Sequence, residues 1–256
     1  PTPPTWGSGI PVCVWKGILC SSGPAPRVTS ISFEQAPGYG FSGKIDLTHL
    51  PSDLTQLNVT NNQFTGAPDL TRLPNTLQVL NLWRNGFRGP VDLTQLPNGL
   101  QVLYLSENWG LTGGLTTSRL PAALQTFDVT ANAFAGTVDF TRLPSQMQQF
   151  SVAQNQFTGP ADLTQLPTSL QALSLDTNRF NGTVDLTRLP SRLTALFLSG
   201  NLFSGSVDLT RLPSQLQGLM LFSNRFSGVV DLTQLPSQLS FVDLENNTFS
   251  GSVDLT

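Results

Sequence analysis

Charge is scarce in this sequence: charged side chains are 11% of 256 residues, the net charge is −3, and the 13 lysines and arginines are scattered. Nucleic-acid binding needs a basic stripe that neutralises phosphates, so no nucleic-acid partner is expected. Histidine occurs once, as His49, and no G-x-S-x-G, H-E-x-x-H or Cys/His cluster is present. A lone imidazole lacks the partnered nucleophile or ligand set that catalysis requires, so the chain does not read as an enzyme, and no cofactor or metal is expected. Long apolar runs are missing as well. None nears the roughly 18 residues of a membrane span, and no charged-then-apolar leader precedes the opening PTPPTWGSG. The expectation is a mature, soluble product with no transmembrane segment.

Cysteine is nearly absent. Cys13 and Cys20 stand alone in CVWKGILC. Two thiols can be free, but their closeness at one end of the chain, beside three N-x-T sequons, favours a disulfide in an oxidising compartment. The sequons begin at Asn58, Asn181 and Asn246, which are the N-glycosylation candidates. Together they point to a secreted or cell-surface location.

What is abundant is repetition. Aromatic residues recur at Phe41, Phe64, Phe87, Phe134, Phe157, Phe180, Phe203, Phe226 and Phe249, with Leu111 in the gap; each step is 23 residues except one of 24. A fixed period of this size means a linear array in which each unit packs on its neighbours. Within a unit, as in LQGLMLFSNRF, the L-x-L alternation is a half-buried strand, too short to bury enough surface unless like strands stack beside it as a parallel sheet. The VDLTxLP stretch has no room for a helix, and its proline lacks a backbone donor.

The pattern L-x-x-L-x-L-x-x-N-x-F-x-G resembles the leucine-rich repeat from about Arg27 to Thr256, and CVWKGILC has the C-x-W-x-G-[VI]-x-C spacing of the amino-terminal cap of plant-type extracellular members. VDLTxLP departs from the plant type and is similar to surface and secreted repeat proteins of protists such as trypanosomatids. The resemblance implies a disulfide cap over residues 1–26 and about ten repeats over 27–256, the last incomplete and uncapped. It implies a right-handed parallel β-coil with one short strand per repeat on a concave face and little or no α-helix outside the cap. It also implies an asparagine ladder at Asn62, Asn85, Asn108, Asn132, Asn155, Asn178, Asn201, Asn224 and Asn247, whose amides satisfy backbone groups between turns.

One aspartate per repeat shares a register: Asp46, Asp69, Asp92, Asp139, Asp162, Asp185, Asp208, Asp231 and Asp254. Neighbouring carboxylates about 5 Å apart repel by on the order of 1 kcal/mol in water, so something must offset the column. Capping of the amides in their own D-L-T turns is favoured over calcium bridging between rungs. GYGFSG contains G-x-G-x-x-G at Gly38, Gly40 and Gly43, but no helix follows to receive a pyrophosphate.

Positions that do not repeat remain as candidates for function. Residues between the strand leucines point outward. There the sequence places Trp83 and Tyr104 near one end, and Phe197, Met220, Phe222 and Phe241 near the other. Grouped aromatics on a wet face mark contact surfaces, so these six are the concave binding candidates for a protein, peptide or glycan. The alternative is an extracellular rod or filament that self-associates end to end through the uncapped repeat.

Overall fold

The computed structural model describes residues 11–34 and 40–250. Trp6, Gly38, Gly251 and Asp254, and any stacking through the last repeat, lie outside the described residues.

Contacts divide the chain into two units, Pro1–Gly113 with Arg119–Ala133, and Gly114–Ser118 with Phe134–Thr256. In the first, strands Val28–Ser32, Gln56–Asn58, Val79–Asn81, Val102–Tyr104 and Thr126–Asp128 pair in parallel and in register, one inward apolar residue beside the next. In the second, Gln149–Ser151, Ala172–Ser174, Ala195–Phe197, Gly218–Met220 and Phe241–Asp243 do the same. Each unit is therefore a stretch of parallel β-solenoid. The inward leucines, such as Leu80, Leu103, Leu173 and Leu196, are fully buried. Each stabilises its rung by roughly 2 kcal/mol relative to exposure.

A second strand per repeat joins the one expected from the L-x-L motif. It follows the asparagine, as in Gln63–Gly66 and Gly86–Pro90 of the first unit and Arg179–Gly182 and Leu202–Gly205 of the second, and it too pairs in parallel. Its phenylalanine points inward and stacks: the rings of Phe41, Phe64 and Phe87 lie 6.3 and 6.2 Å apart, and those of Phe180, Phe203 and Phe226 6.1 Å apart. The glycine two residues on sits at positive φ in every described repeat, as Gly66 at 87° and Gly205 at 82°. No α-helix occurs among the described residues; the only helical turns are 3-10, at Val12–Val14, Thr117–Arg119 and Phe140–Arg142.

The ladder is built from side-chain amides. Asn201 Nδ2 donates to the carbonyls of Leu175, Leu198 and Ser199 at 2.9, 3.1 and 3.1 Å, while its Oδ1 accepts from Phe180 N at 3.0 Å. Asn108 repeats the pattern in the first unit with Leu82, Leu105, Ser106 and Phe87. Each amide ties its own turn to the preceding strand and to the preceding phenylalanine.

The aspartate column caps its own turns. Asp185 Oδ1 accepts from Thr187 N at 2.8 Å and from Thr187 Oγ1 at 2.6 Å, and Asp46, Asp69, Asp92, Asp139, Asp162, Asp208 and Asp231 have the same pair of bonds to the threonine two residues on. Arg142 and Arg188 add ion pairs at 3.5 and 3.9 Å. The threonine hydroxyl, then its backbone amide, pulls the carboxyl pKa down at Asp69, Asp92, Asp162, Asp185 and Asp208, and at Asp46 from 3.8 to about 2. A pKa lowered on folding gives stability that is complete above the unfolded value and is lost as pH falls through the folded one. Thermal midpoints are therefore expected to hold steady down to about pH 4 and to drop between there and about pH 2. A midpoint unchanged at pH 2 would contradict the capping role.

Candidate binding face

Adjacent outward positions come together in the first unit because the rungs are in register: Asn81 lies beside Tyr104, and Tyr104 beside Asp128. With Trp83 and Ser106 they line an open cavity of about 280 Å³. Trp83 and Tyr104 are half-buried, so the two aromatics predicted to act together form the walls of one recess. Asn81 Oδ1 accepts from Trp83 N at 3.0 Å, and Asp128 Oδ1 accepts from Thr130 N at 2.9 Å. These bonds hold both side chains upright at the end of their strands. Burial, and then the nearby Asp128 carboxylate, raises the Tyr104 phenol above its usual 10, so its hydroxyl keeps its proton. Ser106 is 3% exposed, and its Oγ has no hydrogen-bond partner.

In the second unit, Phe197 pairs with Met220 across one rung. Its ring leans over Gly218, where an added Cβ would sit 3.3 Å from it. Phe197, Met220 and Phe222 are half-buried outward residues, while Phe241, beside Gly218 in register, is 46% exposed. Asp176, one rung before Ser199, is already satisfied: Ser174 Oγ donates to it at 2.7 Å and Ser199 donates through both N and Oγ.

Sequence reasoning passed over Ser106, Asn81 and Asp128 as site residues. Asn81 and Asp128 do carry a signal, an Asx on the outward strand face that caps the amide two residues on, as Asn58 also does for Thr60, whereas Ser106 carries none. It also passed over Trp109. The single 24-residue step places one extra residue between Asn108 and Leu111, and Trp109 there has φ 60° and is 69% exposed.

Cys13 and Cys20 form a disulfide. Among the sequons, Asn181 and Asn246 are exposed and Asn58 is half-buried on its strand. His49 is exposed and held by Asp46 at 2.8 Å. Among the described residues, no group of three or more His, Cys, Asp and Glu is arranged to hold a metal, and no helix is long and apolar enough to cross a membrane.

No family model and no curated protein matches the sequence. Solved structures do resemble it. A TDR receptor aligns at 26% identity with a TM-score of 0.68, over 86% of this chain and 40% of its own. A plant ice-binding protein aligns at 22% identity and TM-score 0.73, over 97% of this chain and 81% of its own. The Arabidopsis receptor kinase HAESA, in complex with the peptide hormone IDA and the co-receptor SERK1, aligns at 23% identity and TM-score 0.58, over 89% and 48%. The chain thus spans less than half of the two receptors. The fold is that of a leucine-rich-repeat solenoid with almost no helix.

Proposed function

We propose that this chain is an extracellular recognition module that binds a peptide or protein segment on the outward face of its first-strand sheets. The observation that carries the reading is the grouping of non-repeating residues on one face, with Trp83 and Tyr104 walling a recess, in a chain that otherwise repeats almost letter for letter. Aromatics in partly desolvated recesses are the anchors that dominate interface energetics. The presence of this fold in HAESA bound to a peptide hormone supports the reading, and the disulfide cap with exposed sequons Asn181 and Asn246 supports an extracellular, glycosylated setting. The plant ice-binding protein shares the fold alone; the matching column of this chain's second strands is mixed, with Arg88 between Thr65 and Thr112 in the first unit and Asn181 between Thr158 and Ser204 in the second.

The test is selection of displayed extended peptides, with glycans arrayed in parallel. Binding of selected peptides is expected to weaken by at least roughly tenfold in Trp83→Asp or Phe222→Asp and to persist in Arg179→Ser on the other sheet. Unchanged capture by both aspartate variants, or glycan capture alone, would overturn it.

A further inference from the structure

The recess of the first unit has a chemical bias that its aromatic walls alone do not reveal. Its one charge is negative, and its acceptors are the second oxygen of Asp128, the hydroxyl oxygens of Tyr104 and Ser106 and the remaining lone pair of Asn81 Oδ1; its donors, the Asn81 amide and the two hydroxyl hydrogens, are all neutral. A hydroxyl buried to 3% exposure without a partner costs free energy, about 1–3 kcal/mol by the usual desolvation penalty, and a bound group that reaches it recovers part of that.

Nothing in the recess is cationic. From Gln56 to Thr130 the outward strand positions hold no lysine or arginine, and Asp128 is their charged residue. The nearest basic side chain in sequence, Arg84, is turned to Glu107 with Nε–Oε2 at 3.9 Å. An anion entering the recess would meet a carboxylate and no countercharge. A cation would meet a carboxylate and two ring faces, and aromatic faces attract cations through their quadrupole. At about 280 Å³ the space lies below the range of drug-sized pockets and suits the end of one side chain.

We infer that the Trp83–Tyr104–Asp128 recess takes the guanidinium of an arginine side chain presented by the bound peptide. A guanidinium is planar, stacks on aromatic faces and carries five donors and no acceptor, which complements a recess of ring walls and acceptors. Asp128 supplies the charge pair, Ser106 Oγ accepts one N–H, and the two rings sandwich or flank the plane. The inference rests on the reading of this face as a peptide-binding surface.

The experiment follows backbone amides and the Trp83 indole by NMR on the full chain, the indole being assigned through Trp83→Phe. The probes are acetyl-Gly-Arg-Gly-amide, its citrulline counterpart, which is neutral with the same shape, its lysine counterpart, and glucose. The arginine probe is expected to shift Trp83, Ser106 and Asp128 saturably and to bind roughly tenfold more tightly than the citrulline probe, one charge-assisted contact's worth. Asp128→Asn is expected to erase that preference, and Asp176→Asn in the other unit to leave it intact. Equal binding of arginine and citrulline probes, preference for lysine, shifts from glucose alone, or no shift at these residues would each overturn the inference. Peptide capture that depends on Trp83 and Phe222 without a preference for arginine leaves the recognition reading standing while this inference falls; arginine binding in the recess without capture of any longer peptide does the reverse.

Discussion

Asn201→Ala is expected to destabilise the second unit by about 4 kcal/mol. The side chain is 5% exposed and makes four hydrogen bonds to backbone groups of adjacent turns. Alanine leaves the Phe180 amide without its partner, which costs about 1–3 kcal/mol, while the carbonyls of Leu175, Leu198 and Ser199 keep Asn178 Nδ2, Asn224 Nδ2 and Thr177 N and each lose one bond worth about 0.5–1.5 kcal/mol, less whatever the removed amide itself lost on burial. Asn247 makes the same kind of bonds, to Leu221, Leu244 and Glu245 and from Phe226, but it is only part-buried, so water can replace it. Asn247→Ala should therefore cost less than about 1.5 kcal/mol. Urea unfolding followed by circular dichroism separates the two: the Asn201 variant should unfold at a clearly lower midpoint with an unchanged slope. Equal, small losses for both would mean that the ladder is ornamental and that leucine and phenylalanine burial alone holds the rungs.

That contrast marks what a repeating sequence discloses. Ladder asparagines, stacked phenylalanines, inward leucines and Asp–Thr caps each occupy one register, because a solenoid imposes the same backbone geometry on every turn and only a few side chains satisfy it. The leucines and phenylalanines were legible from spacing, the Asp–Thr caps from their shared D-L-T register, and the ladder from the resemblance to the leucine-rich repeat. Other equally periodic features were not. The residue before each ladder asparagine adopts positive φ, including Arg84 at 53°, Glu107 at 54° and Ser223 at 54°, yet the column carries almost any side chain, with Gly200 as its one conspicuous trace. The left-handed region costs a non-glycine residue only modestly, and the neighbouring hydrogen bonds outweigh that cost, so the sequence is left free.

The candidate site was half legible for a related reason. Trp83 and Tyr104 announce themselves as large residues in an outward slot. Ser106 does not, since serine in that slot reads as ordinary wet surface; it is 3% exposed, as are Thr60 and Ser199 in the same register, and Arg84 N donates to its carbonyl at 2.9 Å. Phe197 is half-buried, and its exposure was set by a glycine one rung away, Gly218, which leaves room for the ring to lie down. Size and register can be read from one repeat, whereas burial of an outward residue depends on which non-repeating neighbours flank it.

Gly17→Ala is expected to detach the cap. Gly17 has φ 86°, and a Cβ there would lie 2.2 Å from the carbonyl oxygen of Ser32, a backbone atom that cannot swing aside. Its own carbonyl accepts from Ser32 N at 2.7 Å, the bond that begins the antiparallel pairing of Ile18–Cys20 with Val28–Ser32. Alanine is strained at that φ and forces the two backbones apart, so the loss should reach about 3 kcal/mol in the cap. The disulfide closes only the short loop from Cys13 to Cys20 and does not anchor that loop to the first repeat, so it offers no rescue. Hydrogen exchange gives the readout. Amides of Ile18–Cys20 should lose protection by roughly a hundredfold, the equivalent of two factors of ten in the opening equilibrium. Amides of Val102–Tyr104, several rungs along, should keep theirs, because solenoid turns interact only with their neighbours. If protection instead vanished evenly through the first unit, the cap would be the nucleus on which every later rung depends rather than a lid over the first; if it did not change at all, the close approach of Gly17 to Ser32 would not be what holds the cap in place.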